Sequence, residues 1–157
     1  MSYDDNTISI GHRLRQFWLQ DGGPLLQPPV ADHEVLVFEV DNNVCIPLNF
    51  LEYLKCANGF NQYSGYQDKR GFNFWPLQEI SPLAGYDDGR YDFKNGSSKY
   101  FLFCDYLDFS WGYAISMDAT DHRVVLVGTK DGEPRVVSES FEAFADAYLN
   151  DSSDIYL

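Results

Sequence analysis

Two neighbouring stretches decide the fold: Tyr100-Phe101-Leu102-Phe103-Cys104-Asp105-Tyr106, and Ser110-Trp111-Gly112-Tyr113-Ala114-Ile115. From Tyr100 to Leu107 the chain is apolar almost without a break, interrupted only by Asp105, and reads as a strand. From Ser110 to Asp118 it alternates. Trp111, Tyr113, Ile115 and Met117 take one face, and Gly112, Ala114 and Ser116 take the other. Residues 123–127 and 135–137 are two further strands, with Asp131-Gly132 as the hairpin turn between them. Upstream lie a polar loop over 85–99 and a short aromatic strand, Phe72, Phe74 and Trp75, ahead of Pro76.

Helical periods flank this meander. Ile10, Leu14, Phe17 and Trp18 share one helix face, with Ser9 or Thr7 as the cap and Gly22-Gly23-Pro24 as the stop. A second helix starts at Pro47 and runs to about Asn58. It buries Phe50, Leu51, Leu54 and Ala57, and Asn58-Gly59 serves as its left-handed cap. A last helix carries Phe141, Phe144, Ala145, Tyr148 and Leu149 on one face, with Ser138 as its cap. Residues 31–42 read two ways. Val35 to Val40 has strand propensity, yet Asp32 could cap a helix with Val35 and Phe38 facing inward. Helices, a strand meander and a helix make an α+β protein with a mostly antiparallel sheet flanked by helices.

The chain has 157 residues, the length of one ordinary domain. Its formal net charge is −13, divided as −4 over residues 1–78 and −9 over residues 79–157. Such acidity excludes nucleic acid and anionic membrane as partners, since phosphate affinity requires clustered Lys and Arg. Acidic disordered chains are poor in aromatics, whereas 17% of this one is aromatic, so most rings belong to a core or an interface. The N-terminus lacks a basic, then apolar, leader, and no apolar run reaches membrane-spanning length; the expected location is cytoplasmic.

Catalytic signatures are missing. No P-loop, dinucleotide fingerprint, nucleophile elbow or zinc-protease motif occurs. Cys45, Cys56 and Cys104 fit neither a disulfide framework nor a zinc pattern and are expected as buried free thiols. No metal or cofactor is indicated. Asp105 and Asp108 are the one carboxylate pair to weigh for acid–base chemistry, although positions i and i+3 of a strand face opposite ways unless the chain bends.

Four groups of residues carry a resemblance to a known family. They are Phe38-Glu39 with Ile46-Pro47, Phe50, Tyr53-Leu54 and Asn58-Gly59; Phe74-Trp75-Pro76-Leu77; the hairpin stretches quoted above; and Ser140-Phe141-Glu142-Ala143-Phe144 with Tyr148-Leu149. In order and spacing the sequence resembles the SMI1/KNR4 proteins of the SUKH superfamily. The resemblance covers about residues 31–150 and implies a single domain, with residues 1–28 as a helix and linker leading into it. It makes residues 31–42 a helix, despite their strand propensity. The sequence departs from the family pattern at Val37 and Val40, where polar residues are common, and at Asp41-Asn42-Asn43, where a Gly-containing turn is common. Phe38, Glu39, Pro47, Asn58, Gly59, Trp75, Pro76, Trp111, Phe141 and Phe144 are then structural, with Trp111 in the core.

The resemblance further implies a binding protein without catalytic residues. Bacterial relatives are immunity proteins that bind and block a toxin domain, often a nuclease; fungal relatives act in cell-wall and signalling regulation. A basic toxin domain is the expected partner, because an acidic protein can occupy a phosphate-binding surface. A regulatory or scaffold role without a toxin is the alternative, and a small hydrolase using Asp105 and Asp108 is the remote one. A homo-oligomer is compatible with the aromatic excess. The expected partner-binding residues are Asp87, Asp88, Asp92, Asp105, Tyr106, Asp108, Asp118 and Asp121, with Trp111 as a further aromatic anchor.

Overall fold

The computed structural model describes residues 8–20, 23–62, 67–83, 99–128 and 134–156. Among these residues three helices come first: α1 (Ile10–Trp18), α2 (Asp32–Asn42) and α3 (Leu48–Leu54). Six strands follow: β1 (Phe72–Phe74), β2 (Ser81–Pro82), β3 (Tyr100–Tyr106), β4 (Trp111–Ser116), β5 (Val124–Val127) and β6 (Arg135–Ser138). Helix α4 (Phe141–Leu149) and a 3-10 turn at Ser153–Ile155 come last. The strand order is β1-β3-β4-β5-β6, with β2 also on β3 and every pairing antiparallel. The α+β architecture is therefore the one the sequence indicates. Strand β2 was not legible, because two residues ending in Pro carry no alternation and Pro cannot donate to a ladder.

Alternation along β1 turns Phe72 and Phe74 toward the helices. Phe74 meets Trp18 and Tyr148, both at 5.0 Å, and Phe103 meets Phe50 and Phe144, both at 5.5 Å. Phe141 packs on Phe50 at 5.0 Å and stacks on Tyr53 at 5.1 Å. One aromatic core thus fills the space between the sheet and α1, α3 and α4, mostly by edge-on and tilted contacts, which the ring quadrupole favours. Two of its polar groups partner each other across the core. The Trp18 indole donates to the Tyr148 hydroxyl at 2.8 Å, and that hydroxyl donates to Asp68.

Asp32–Asn42 form helix α2, as the resemblance implies and against their strand propensity. Val35 and Phe38 are its buried residues, and Phe38 lies 5.5 Å from Phe101. Its cap is Ala31 rather than Asp32; the Glu34 carboxylate accepts the Ala31 N–H at 3.4 Å. Glu39 accepts the Ile46 N–H at 2.8 Å, which explains why a Phe-Glu pair and an Ile-Pro step occur together. Asn43 ends the helix at φ 52, ψ 52 and so fills the left-handed position that glycine often takes.

Helix α3 stops at Leu54, short of the expected Asn58. The Leu54 carbonyl accepts from Val30 N–H at 2.9 Å, so the linker occupies the acceptor that a further turn would need. Asn58-Gly59 is consequently a clamp and not a cap. Buried Asn58 accepts the Leu77 N–H at 2.7 Å and donates to Gln78 at 3.0 Å.

At α4 the cap is Ser140, not Ser138. The Ser140 hydroxyl accepts the Ala143 N–H at 3.1 Å, while Ser138 belongs to β6. Ser140→Ala is expected to lower stability by about 1 kcal/mol and Ser138→Ala by much less, as read by urea denaturation. The thiols also depart from expectation. Only Cys104 is buried; Cys56 is half-buried and Cys45 is exposed.

Candidate protein-binding site at the β3–β4 turn

The register places Asn73 of β1 directly across from Asp105 of β3. Alternation that sends Phe72 and Phe74 toward the helices sends Asn73 and Asp105 to the opposite face of the sheet. There Asp105 is 1% exposed. Its Oδ2 accepts from the Trp75 indole at 2.7 Å and from Asn73 Nδ2 at 3.1 Å, and its Oδ1 accepts the Phe109 N–H at 3.3 Å. Asn73 is braced in turn by Gln62, which exchanges two bonds with it at 3.0 and 3.1 Å. Burial pushes the Asp105 carboxyl above its usual range, and the donors from Trp75, Phe109 and Asn73 pull it part of the way back.

The Phe109 bond fixes an unusual turn. Leu107, Asp108 and Phe109 all lie in the left-handed region, at φ 47, 49 and 65. Each such non-glycine residue costs on the order of 1–2 kcal/mol. The turn is held by Leu107 N–H to the Gly71 carbonyl at 2.9 Å and by Ser110 N–H to the Tyr106 carbonyl at 2.9 Å. Gly71 is at φ +97 directly beneath it, and a Cβ there would sit 2.6 Å from Leu107 Cδ2. Phe109 leans on Trp75 at 5.5 Å. The result is a raised knuckle with Leu107 49% and Phe109 45% exposed on either side of exposed Asp108. Gln67 Nε2 donates to Asp108 at 2.9 Å.

The expected binding residues do not form one cluster. Asp105 is a post beneath the turn, Asp108 is at its tip, and Tyr106 is half-buried beside it. Tyr106 stacks on Trp111 at 4.4 Å, and Trp111 is half-buried rather than in the core; its indole donates to the Tyr113 hydroxyl at 2.9 Å. Asp118 and Asp121 lie at the other end of β4, about 20 Å away at strand rise. Both are engaged locally. Asp118 accepts from the Thr120 N–H and hydroxyl at 3.0 Å each, and Asp121 takes the Arg123 guanidinium at 2.9 Å. Those bonds from Thr120 and Arg123, respectively, hold the two carboxyls below their usual range. Asp87, Asp88, Asp92 and the Asp131-Gly132 turn lie outside the described residues.

Asp105 and Asp108 do not present a carboxylate pair to a substrate. The chain does bend between them, but both oxygens of Asp105 are committed to protein donors beneath the turn. Leu107, Phe109, Asn73 and Gln62 escaped the sequence reading. The available signal was Leu107-Asp108-Phe109 itself, a hairpin connection without Gly, Pro or Asn. Among the described residues no group of three or more His, Cys, Asp or Glu is placed to hold a metal ion, and no helix is long and apolar enough to cross a membrane.

No curated protein matches the chain. The profile of the SMI1 / KNR4 family (SUKH-1) matches residues 12–147, from within α1 through most of α4. With that match, the α+β architecture and the structural placing of Phe38-Glu39, Asn58-Gly59 and Trp75-Pro76, the chain belongs to the SMI1/KNR4 family (SUKH-1), whose members are generally non-catalytic.

Proposed function

We propose that this protein is a non-enzymatic binding domain of the immunity type, whose β3–β4 knuckle docks on a basic toxin domain. One observation carries the reading: three consecutive left-handed residues, pinned from below by a buried carboxylate, hold Leu107 and Phe109 out in water. Backbone strain and exposed apolar surface each oppose folding, and a partner covering the knuckle would recover the apolar part of that cost. A rigid aromatic and an aliphatic side chain flanking a carboxylate suit a partner with apolar pockets beside a cation. The excess of negative charge would speed the encounter with a basic surface.

The test is co-expression with any basic toxin domain found encoded beside this protein's gene. The wild type should protect the cell, and the purified pair should associate at a rate that falls steeply as salt is raised. The Leu107→Ser/Phe109→Ser protein should stay folded yet bind about 100-fold more weakly, as expected for losing two anchor side chains. Full protection by this double variant would remove the knuckle from the interface. Absence of protection by the wild type would instead favour a regulatory or scaffold role.

A further inference from the structure

Helix α2 is apolar on two sides. Val35 and Phe38 face the core, yet Leu36, Val37 and Val40 stand 62, 56 and 69% exposed. At about 100° per residue, His33 and Val40 lie at the middle of the outward face, with Leu36 and Val37 to either side and Asp32 and Asp41 at its edges. Scattered exposed aliphatics need no explanation, but positions i, i+1 and i+4 form one continuous patch.

The surroundings give this patch a shape. A groove of about 480 Å³ runs along one flank, lined by His33, Val37, Asp41, Leu77 and Ile80. Another of about 540 Å³ runs along the other, lined by Val40, Cys45, Lys99 and Met117. α2 is therefore a ridge between two grooves, the form that packs against the ridges of another helix.

Charge selects the occupant. Asp32, Glu34 and Asp41 border the ridge. Asp32 is paired with Lys55 at 3.4 Å, whereas Glu34 accepts from neutral Gln78 and Ala31 among the described residues, and Asp41 is exposed. Lys99, in the second groove, has its ammonium on the Asn43 carbonyl at 3.0 Å. A second copy would bring the same acidic border against itself, in a chain already at −13.

We propose that the outward face of α2 docks a cationic amphipathic helix of a protein partner. Its apolar stripe covers Leu36, Val37 and Val40, and its Lys or Arg side chains meet Glu34 and Asp41. This surface is separate from the β3–β4 knuckle, so its test stands apart from the reading given above.

The full chain, labelled with ¹⁵N, is titrated with three synthetic peptides: a Leu/Lys amphipathic helix, its scrambled isomer and a Leu/Glu counterpart. The Leu/Lys helix should bind about tenfold more tightly than either control and shift amide signals of residues 33–41. Val37→Ser/Val40→Ser should weaken it about tenfold while leaving the melting temperature nearly unchanged, because both sites are exposed and Val and Ser have similar helix propensities. Leu107→Ser/Phe109→Ser should leave it unaffected. Equal binding of the scrambled isomer, or shifts centred away from α2, would overturn the proposal. So would sedimentation showing a dimer that the Val37→Ser/Val40→Ser protein loses, which would make the occupant a second copy.

Discussion

Asp105→Ala is expected to destabilise the protein by about 3 kcal/mol, because it strips a buried network of its common acceptor. The Trp75 indole N–H would lose the acceptor that Oδ2 now offers at 2.7 Å. The Phe109 N–H would lose the bond that holds it, and the left-handed turn would lose its support. Asn73 would keep Gln62, so part of the network survives. Asp105→Asn separates charge from shape. Its one oxygen can serve Trp75 and Asn73, but its amide then faces the Phe109 N–H, donor against donor. The expected loss is about 1–2 kcal/mol, with the turn loosened.

The pH dependence has a definite sign. Burial raises the folded-state pKa of Asp105 above its unfolded value, so the folded protein binds this proton more tightly. The resulting stabilisation is full below the unfolded pKa of about 3.9 and is lost as pH rises through the raised one. The difference in stability between wild type and Asp105→Asn should therefore be larger in mild acid than at neutral pH. Urea denaturation of the three proteins across that range measures it. A loss below about 1 kcal/mol for Asp105→Ala would show that Asp105 is not the support of the network.

Gly59→Ala is expected to be comparably damaging, at about 3 kcal/mol or more, or roughly 10 °C in melting temperature for a chain of this size. Two effects coincide there. The backbone sits at φ +68, which disfavours any Cβ, and that Cβ would lie 2.5 Å from the Trp75 carbonyl carbon and 2.6 Å from Pro76 N. These are the two atoms of one peptide link, and backbone cannot yield as a side chain can. Gly112→Ala is the control. Its Cβ would meet Leu102 Cδ1 at 2.8 Å, the end of a flexible side chain, and its cost should be about 1–2 kcal/mol. Equal losses for the two variants would show that the close approach at Gly59 does not govern its role.

The two residues differ in how far the sequence reveals them. Asn58-Gly59 was visible as a pair and carried part of the family resemblance, but its position after a helical run suggested a cap. Its clamp on Leu77 and Gln78 depends on the chain returning some twenty residues later. Asp105 stood out because a carboxylate in an apolar strand needs a partner. Which partners it has could not be read, since Asn73, Trp75 and Phe109 come to it through strand register and a bent turn. The acidic residues expected to bind a partner share this limitation. Asp118 and Asp121 are engaged by Thr120 and Arg123, and nothing in their local sequence separates a turn-forming carboxylate from a contact-forming one.

By itself the sequence determined the α+β class, the strands of the meander, most of the inward faces of α1 and α4, and the family; on α3 it found Phe50 and Leu54 but passed over buried Tyr53. Those features repeat at the period of a strand or a helix, and apolar side chains report that period directly. Residues 31–42 were helical already by the family resemblance, but tertiary structure alone left that helix an apolar outer face. It also moved three predicted caps, buried Asp105 in a polar knot and raised Leu107 and Phe109 on a left-handed turn. Each of these depends on which donor meets which acceptor, or on which face finds a neighbour, between segments far apart in the chain. Period carries no information about such pairings, and they become fixed only when the sheet and helices close around one core.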